Sequence, residues 1–546
     1  MKRKAVAAVL TAVMVASMFT GCGSDNGSSS AKSASAASAA SAAKDTVDED
    51  GKVNGIMYQE GLPLVDEGDY TFSIFCDDSS ESGEFIMLDE FKKQTNVDVD
   101  LKIYPYETAT ERLNLDLNSG DYADVIGGWT LSDNAILTYG VNQGVFIPLE
   151  DYFEKYCPNI SAILDLPGVR EKMTAPDGHI YTIPYVCTDT TVGYSPYINT
   201  KWLENVGMSM PTTTDEFEAV LKAFKEQDAN GNGDASDEIP FSTDPNNKHI
   251  EAMAGYFGLP MNKLGIAIQN EKVVYGGVSD TYREFLSWFH KLYAEGLVDV
   301  ELYTQDSSTW EGKGNQDLYG VSIAYGSNEF TGIPAAEERG DFDSMPVLNT
   351  DKDGIWLRDT EGFSVYRTQA VITNKAEHPE IICRWFDNAF ALENGIGCNR
   401  GPVGVIVNKE DDGYHAIDTT TLSEEDQEKY SWGNLWPQSL PKYLPVDFEF
   451  VEEHPMYDEK KATEEAYEAN LTKEIIPSYW IDLDKIDTFS DTNTAIKDFF
   501  EQQQAQFVCG ELDIDNDADW QAYVDGMYSL GLEDWVATQG IEEIAK

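Results

Sequence analysis

One stretch of the chain has the donor types and spacing of a hard-cation site. Asp228, Asn230, Asn232 and Asp234 alternate along it, Gly233 sits just before the last of them, and Asp237 and Glu238 close it. Oxygen donors at every second position, with glycine near the middle, let a tight loop wrap calcium. An EF-hand would carry a bidentate Glu at its twelfth position, but Ile239 stands there. The loop closes early instead, so the expectation is a structural Ca2+ loop of non-EF-hand length. The alternative is an Asn-Gly turn with solvated acids. A second acidic run, Asp513, Asp515, Asp517 and Asp519, lacks the glycine and reads as a solvated turn.

Catalytic patterns are sparse. The six histidines form no HExxH, and no GxSxG, Walker A or kinase signature occurs. Residues 395–401 do not make a nucleotide loop. With 97 Asp and Glu, a carboxylate pair will always fall somewhere, so paired acids alone do not argue for glycoside hydrolysis.

The aromatic residues say more. The chain holds 11 Trp, 28 Tyr and 24 Phe. Sugar rings stack their apolar faces on aromatic planes, while their hydroxyls need polar partners such as Asp and Arg. Trp288 and Trp385 lie on helical stripes and read as core. The expected ligand contacts are Asp77 and Trp129, after the first and third strands, Arg400, and Trp310, Tyr325, Trp432, Trp436 and Trp480, these five near turn-forming residues. Arg400 would lie in a Gly-rich turn, 397–401.

Elements must position these groups. Tyr70, Phe72 and Ile74 alternate with polar residues, as do Val97, Val99, Leu101 and Ile103, and both runs read as strands. Helical spacing separates them at Phe85, Leu88 and Phe91. Residues 107–118 read as a helix stopped by Gly120, followed by a short apolar run, 123–126. That βαβ order implies an α/β fold with a mostly parallel sheet covered by helices. Ligands of such sheets sit beyond the carboxyl ends of the strands, where Asp77 and Trp129 would project. Later, Thr213 and Glu216 make a capping box, and Pro379 opens a helix carrying Ile382, Trp385, Phe386 and Ala389.

The N-terminus reads as an export signal. Lys2, Arg3 and Lys4 precede an apolar stretch, then Thr20, Gly21 and Cys22. The stretch is too short to span a membrane and reads as a cleavable signal over 1–21. Cys22 resembles the lipidated cysteine of a bacterial lipobox. Ser- and Ala-rich residues follow and read, over 22–59, as a flexible tether. The six remaining cysteines have no zinc-like spacing and read as buried thiols.

Composition closes other routes. The 546 residues carry 38 Lys+Arg against 97 Asp+Glu, a net charge of −59. Such a chain lacks the cations that replace phosphate counterions on nucleic acid, or that dock on anionic lipid. Its length suggests more than one lobe, and the absence of a second low-complexity linker suggests lobes built from non-contiguous segments.

Together these residues resemble the extracellular solute-binding proteins of carbohydrate ABC transporters, family 1 type. The nearest likeness is to the long lipoprotein branch that includes alginate-oligosaccharide-binding proteins. The resemblance is carried by residues 61–63, 148–152 and 158–160, and by the strand 177–184. It continues through 197–202, 211–217 and the acidic loop ending at 237–240, then 507–510, Trp520, Tyr523 and 531–532. It implies a two-lobed, periplasmic-binding-protein-like fold with a hinge. Lobe 1 would hold 60–190 and 365–430; lobe 2 would hold 191–364 and 431–546. It further implies a monomer, not an enzyme, tethered by lipid to the outer face of a bacterial membrane. Such a protein would capture an oligosaccharide and deliver it to a transmembrane permease. The alternative is a lipoprotein glycoside hydrolase.

Overall fold

The computed structural model describes residues 46–78, 84–244, 249–332, 341–417, 419–445, 448, 450–451 and 455–545. Cys22, the signal segment and most of the expected tether lie outside them. The tether is shorter than its composition suggests. Lys52–Val53 and Met57–Tyr58 pair as a small hairpin that buries Val53 and Met57 in the lobe 1 core.

Lobe 1 opens with β1 (Tyr70–Asp77), α1 (Ile86–Thr95), β2 (Val97–Tyr104), α2 (Tyr106–Ser119) and β3 (Val125–Gly127). The two helices stop where left-handed residues accept the turn, Asn96 at φ 60° and Gly120 at φ 76°. β4 (Tyr185–Thr188) leaves the lobe. Lobe 2 follows with β5 (Ser195–Asn199), α3 (Thr214–Glu226), β6 (Ile239–Thr243), α4 (Ser307–Asn315), β7 (Tyr319–Ala324) and β8 (Phe342–Ser344). β9 (Phe363–Tyr366) crosses back, antiparallel to β4, and feeds β10 (Ala370–Ile372), α5 (Pro379–Ala389) and α6 (Leu392–Arg400) of lobe 1. α7 (Pro455–Tyr467) and α8 (Ile486–Cys509) belong to lobe 2.

The capping box at α3 forms in part. Thr213 caps the Glu216 N–H at 3.2 Å, while the Glu216 carboxylate reaches back to Thr212 rather than to Thr213.

The lobe 1 sheet has the order β10-β3-β1-β2, with β1, β2 and β3 parallel and β10 opposed at the edge. The lobe 2 sheet has the order β8-β5-β7-β6. Only β6 and β7 pair in parallel; β5 is antiparallel to both its neighbours. The expectation of a mostly parallel sheet therefore describes lobe 1, not the pairing in lobe 2. In both lobes the opposed strand is the one that arrives from a crossing strand.

Each lobe has its own core. Trp385 of α5 packs edge-on against Phe72 at 5.3 Å and Phe91 at 5.5 Å, and Trp436 stacks on it at 5.7 Å. Trp436 and Leu440 are buried in the lobe 1 core, so the stretch 431–445, expected in lobe 2, packs with lobe 1. The six cysteines are unpaired thiols; Cys187 is partly exposed and Cys509 exposed, against the expectation that all are buried. The acidic run 513–519 makes a turn: Asp513 accepts the Asp515 N–H, Ser287 donates to Asp515, and Arg283 pairs with Asp517 at 2.9 Å. Among the described residues, no helix is long and apolar enough to cross a membrane.

Candidate functional site between the lobes

Strand ends decide which side chains gather. β1 ends at Asp77 and β3 at Gly127, while β10 starts opposite Gly127. Asp77, Trp129 and the segment entering β10 therefore meet at one edge of lobe 1. In lobe 2, β6 ends at Thr243 and β7 at Ala324, while β5 starts opposite Ala324. Asp244, Tyr325 and Tyr194 emerge together at that edge. The crossing strands β4 and β9 join the two.

A series of rings runs along this path. Trp129 is 47% exposed. Its indole meets Tyr366 edge-on at 5.2 Å and Tyr185 at 6.3 Å. Tyr185 and Tyr366 are cross-strand partners on β4 and β9, with ring centres 5.5 Å apart. Asp189, just past β4, ties the series together. It accepts from Ser364 at 2.5 Å, Tyr325 at 3.1 Å and Tyr366 at 3.5 Å. Tyr325 meets Tyr194 edge-on at 6.0 Å, and Tyr194 lies flat on the His249 ring at 4.0 Å.

Burial shapes the charges around the rings. It pushes the phenols of Tyr194, Tyr325 and Tyr366 up, so they remain neutral hydroxyl donors. Burial holds Glu329 at about 7; its carboxylate accepts the Tyr325 N–H at 2.9 Å. Lys460 sits 3.7 Å from the centre of the Tyr325 ring and donates to the Gly193 carbonyl at 2.8 Å. Burial lowers its amine to about 8, against the opposing pull of Glu329. His249 falls to about 4 through burial and then Lys263, so its ring is neutral near pH 7.

Two acids at the end of β1 support the exposed indoles. Asp77 is fully buried and accepts the backbone N–H of Trp129 at 3.0 Å and of Thr130 at 2.6 Å, and the Thr130 hydroxyl. It holds the turn rather than facing a ligand, which corrects its expected role. Gly128 has φ 135°, and a Cβ there would run into the Asp77 carboxylate. Asp78 accepts the Gln438 N–H at 2.7 Å, and the Gln438 amide donates to the Trp432 carbonyl at 2.9 Å. Trp432 is 50% exposed, with Lys442 5.3 Å from its ring.

Other expected contacts are placed elsewhere. Trp310 lies on α4, not in a loop, and is buried against Phe330 with its indole N–H on Ser322. Trp436 is fully buried under Trp385. Trp480 is half-buried, capped by Arg367 at 4.0 Å, with its N–H on the Lys172 carbonyl. Arg400 ends α6 rather than sitting in a turn, with its guanidinium 5.9 Å from the Phe450 ring. Arg367 itself is buried and paired with Asp133 at 2.8 and 2.5 Å, beside a surface pocket of 270 Å³ that Tyr366 also lines. A larger pocket, 510 Å³, is lined by Gln94, Asn388 and Asn394 and includes no crossing-strand residue.

Sequence reasoning missed Tyr185, Asp189, Tyr194, His249, Glu329, Tyr366 and Lys460. The available signal was the strand expected at 177–184; the strand that leaves lobe 1 is β4, 185–188, and it carries Tyr185 and leads to Asp189.

The acidic loop follows α3 and leads into β6. Asp228 Oδ2 accepts the Gly233 N–H at 3.0 Å, and Glu238 Oε1 the Ala229 N–H at 2.9 Å. Their second oxygens, Asp228 Oδ1 and Glu238 Oε2, are buried without a hydrogen-bond partner. Asp237 accepts from the amides of Asn230 and Asn232, at 3.3 and 2.7 Å. Asp234 differs: one of its oxygens caps both the N–H and the hydroxyl of Ser236. Elsewhere, Glu410, Asp412 and His415 also gather, but on an exposed hairpin where His415 and Asp412 already pair at 3.0 Å.

Residues 78–395 match the profile of the bacterial extracellular solute-binding proteins. The chain belongs to that family. Among the solute-binding proteins, the fructooligosaccharide ABC transporter substrate-binding protein FusA of Streptococcus pneumoniae is 31% identical over 411 residues, 73% of this chain and 70% of FusA. The lipoprotein LipO of Bacillus subtilis is 28% identical over half of this chain and 52% of its own length. The structure of S. pneumoniae FusA with kestose superposes with a TM-score of 0.75 at 26% identity, covering 86% of this chain and 98% of that one. The two-lobed fold is thereby that of solute-binding proteins, and the glycoside-hydrolase alternative finds no support among them.

Proposed function

We propose that this solute-binding protein captures an oligosaccharide between its lobes and delivers it to the permease of a carbohydrate ABC transporter, without chemical change. The ring series from Trp129 through Tyr366 and Tyr325 to Tyr194, joined at Asp189, carries the reading. It offers stacking area in successive steps and hydroxyl and carboxylate groups between them, which is what a chain of sugar rings requires. The named activity of FusA, fructooligosaccharide binding, supports it.

Capture would use the hinge. With the lobes apart, Trp129 and Trp432 offer the sugar a first platform. On closure, the lobe 2 groups reach its other face, and sugar hydroxyls compete with Ser364, Tyr325 and Tyr366 for Asp189. Delivery reverses this when the permease separates the lobes. Isothermal calorimetry of the mature protein against neutral oligosaccharides, with chromatography of the mixture, is the test. Micromolar binding and intact sugar are expected; shortened sugar would overturn the reading.

Calcium fits the acidic loop. Two buried carboxylate oxygens without partners are costly unless a cation satisfies them. Asp228, Asn230, Asn232, Asp237 and Glu238 would hold it, while Asp234 serves the turn. The ion would neutralise the clustered acids and brace the α3–β6 connection. An EF-hand mutant of FusA has been solved in complex with fructo-nystose, which supports a cation site in that relative.

Lipidation of Cys22 would hold the mature chain on the outer membrane face as a monomer, two acyl groups being needed for a lasting anchor. Cys22→Ala should move the protein from the membrane fraction to the medium; protein that stays membrane-bound would refute the anchor.

A further inference from the structure

We infer that the lobe 2 face of the cleft selects neutral glycans and rejects uronate oligosaccharides. The inference rests on the oligosaccharide reading above and narrows its ligand class. The relatives themselves divide on this point. One is named for fructooligosaccharides, another, YtcQ of Bacillus subtilis, for polygalacturonan and rhamnogalacturonan, whose galacturonic acid units are anionic.

The charges come from the topology. Parallel β6 and β7 deliver Asp244 and Tyr325 side by side, and Glu329 lies one helical turn past Tyr325 with its carboxylate on the Tyr325 N–H. Asp244 lies in the field of Tyr194, Glu329 and Glu311. Asp189 is the hub between the crossing strands. Asp359, on the Gly193 N–H at 2.7 Å, completes the group.

Among the described residues, three neighbouring cations are already engaged, and a fourth, Lys263, acts on His249. Lys460 is buried on the Gly193 carbonyl, over the Tyr325 ring and in the field of Glu329. Arg367 is held by Asp133, and Lys442 is buried on Gln438 at 2.5 Å. A neutral sugar gains from such a face, because each carboxylate is an acceptor for ring hydroxyls. A uronate brings a like charge into a closing, partly dehydrated site and meets repulsion, with Lys460, Arg367 and Lys442 already taken.

Calorimetry on the full mature chain tests this, with kestose, maltotriose, cellotriose and mannotriose set against trigalacturonate and triguluronate. At least one neutral sugar should bind, and both uronates should bind at least about 100-fold more weakly. At pH 8, where Glu329 is ionised, the Asp244→Asn/Glu329→Gln double variant should narrow that gap about tenfold, and so should raising the salt from low to high. Uronate binding that equals or exceeds every neutral sugar would overturn the inference while leaving the oligosaccharide reading intact. A gap unmoved by the double variant would overturn the assignment to this face. Binding of none of the six sugars would overturn both readings.

Discussion

The two lobes solve one problem with different chemistry. Each receives a strand from a crossing strand and sets it against three others. In lobe 1 that strand, β10, takes the edge; in lobe 2 its counterpart, β5, sits inside the sheet. Beyond the strand ends, lobe 1 shows indoles braced from beneath by Asp77 and Asp78, whereas lobe 2 shows phenols among carboxylates. The acids of both lobes hold backbone N–H groups, Asp77 and Asp78 in lobe 1 and Glu329 and Asp359 in lobe 2. One lobe thus sets braced indoles at its strand ends, the other phenols beside braced acids.

Tryptophan substitutions in the two lobes should separate most widely. Trp310→Ala removes a buried ring and should cost about 3–5 kcal/mol of stability, read as a large drop in denaturation midpoint. Trp129→Ala should leave the unliganded melting curve nearly unchanged but weaken sugar binding by about ten- to a hundredfold. If Trp129→Ala instead destabilised the protein as strongly as Trp310→Ala, the indole would be packing rather than a platform.

Calcium should act on lobe 2 alone. At a hundredfold excess over its dissociation constant, the ion should add about 2.7 kcal/mol. A chelator should lower the melting temperature and calcium restore it, while Asp228→Ala should show no response to either. Two melting transitions would sharpen the comparison, with only the lobe 2 step moving. An unchanged melting curve in chelator would remove the ion.

The last expected effect is a pH dependence centred on Glu329. Burial raises its carboxyl to about 7, above the ordinary Glu value, so the folded state keeps a proton that the unfolded state releases. Its contribution therefore falls as pH rises from about 4.5 to about 7. Glu329→Gln should match the parent below that window and exceed it by up to about 3 kcal/mol at pH 8. A constant difference across pH would show that Glu329 titrates normally.

What could be read from the sequence was local. The β1-α1-β2-α2-β3 order, the Gly120 stop, the Thr213 cap and the donor spacing at 228–238 depend on neighbours within a few residues. Turn-forming neighbours misplace Trp310 and Trp436 because they do not report burial, which depends on distant packing. Phe330 covers Trp310, and Trp385 covers Trp436. The Asp189 hub is invisible in the sequence for the same reason: its partners Tyr325, Ser364 and Tyr366 lie far along the chain and meet only where β4 and β9 pair.

The return of residues 431–445 to lobe 1 also sets an order of assembly. Asp78 and its partner Gln438 are 360 residues apart, and Leu440 fills the space that a side chain at Gly127 would take. The first lobe to emerge from the ribosome or the export channel cannot close its core until most of the second has followed. Contacts of such long separation slow folding, because the loop entropy must be met before they reward it. A chain cut short near residue 430 would carry a complete set of lobe 1 strands and still leave Trp385 without its stacking partner, so the packing of lobe 1 waits on residues 431–445.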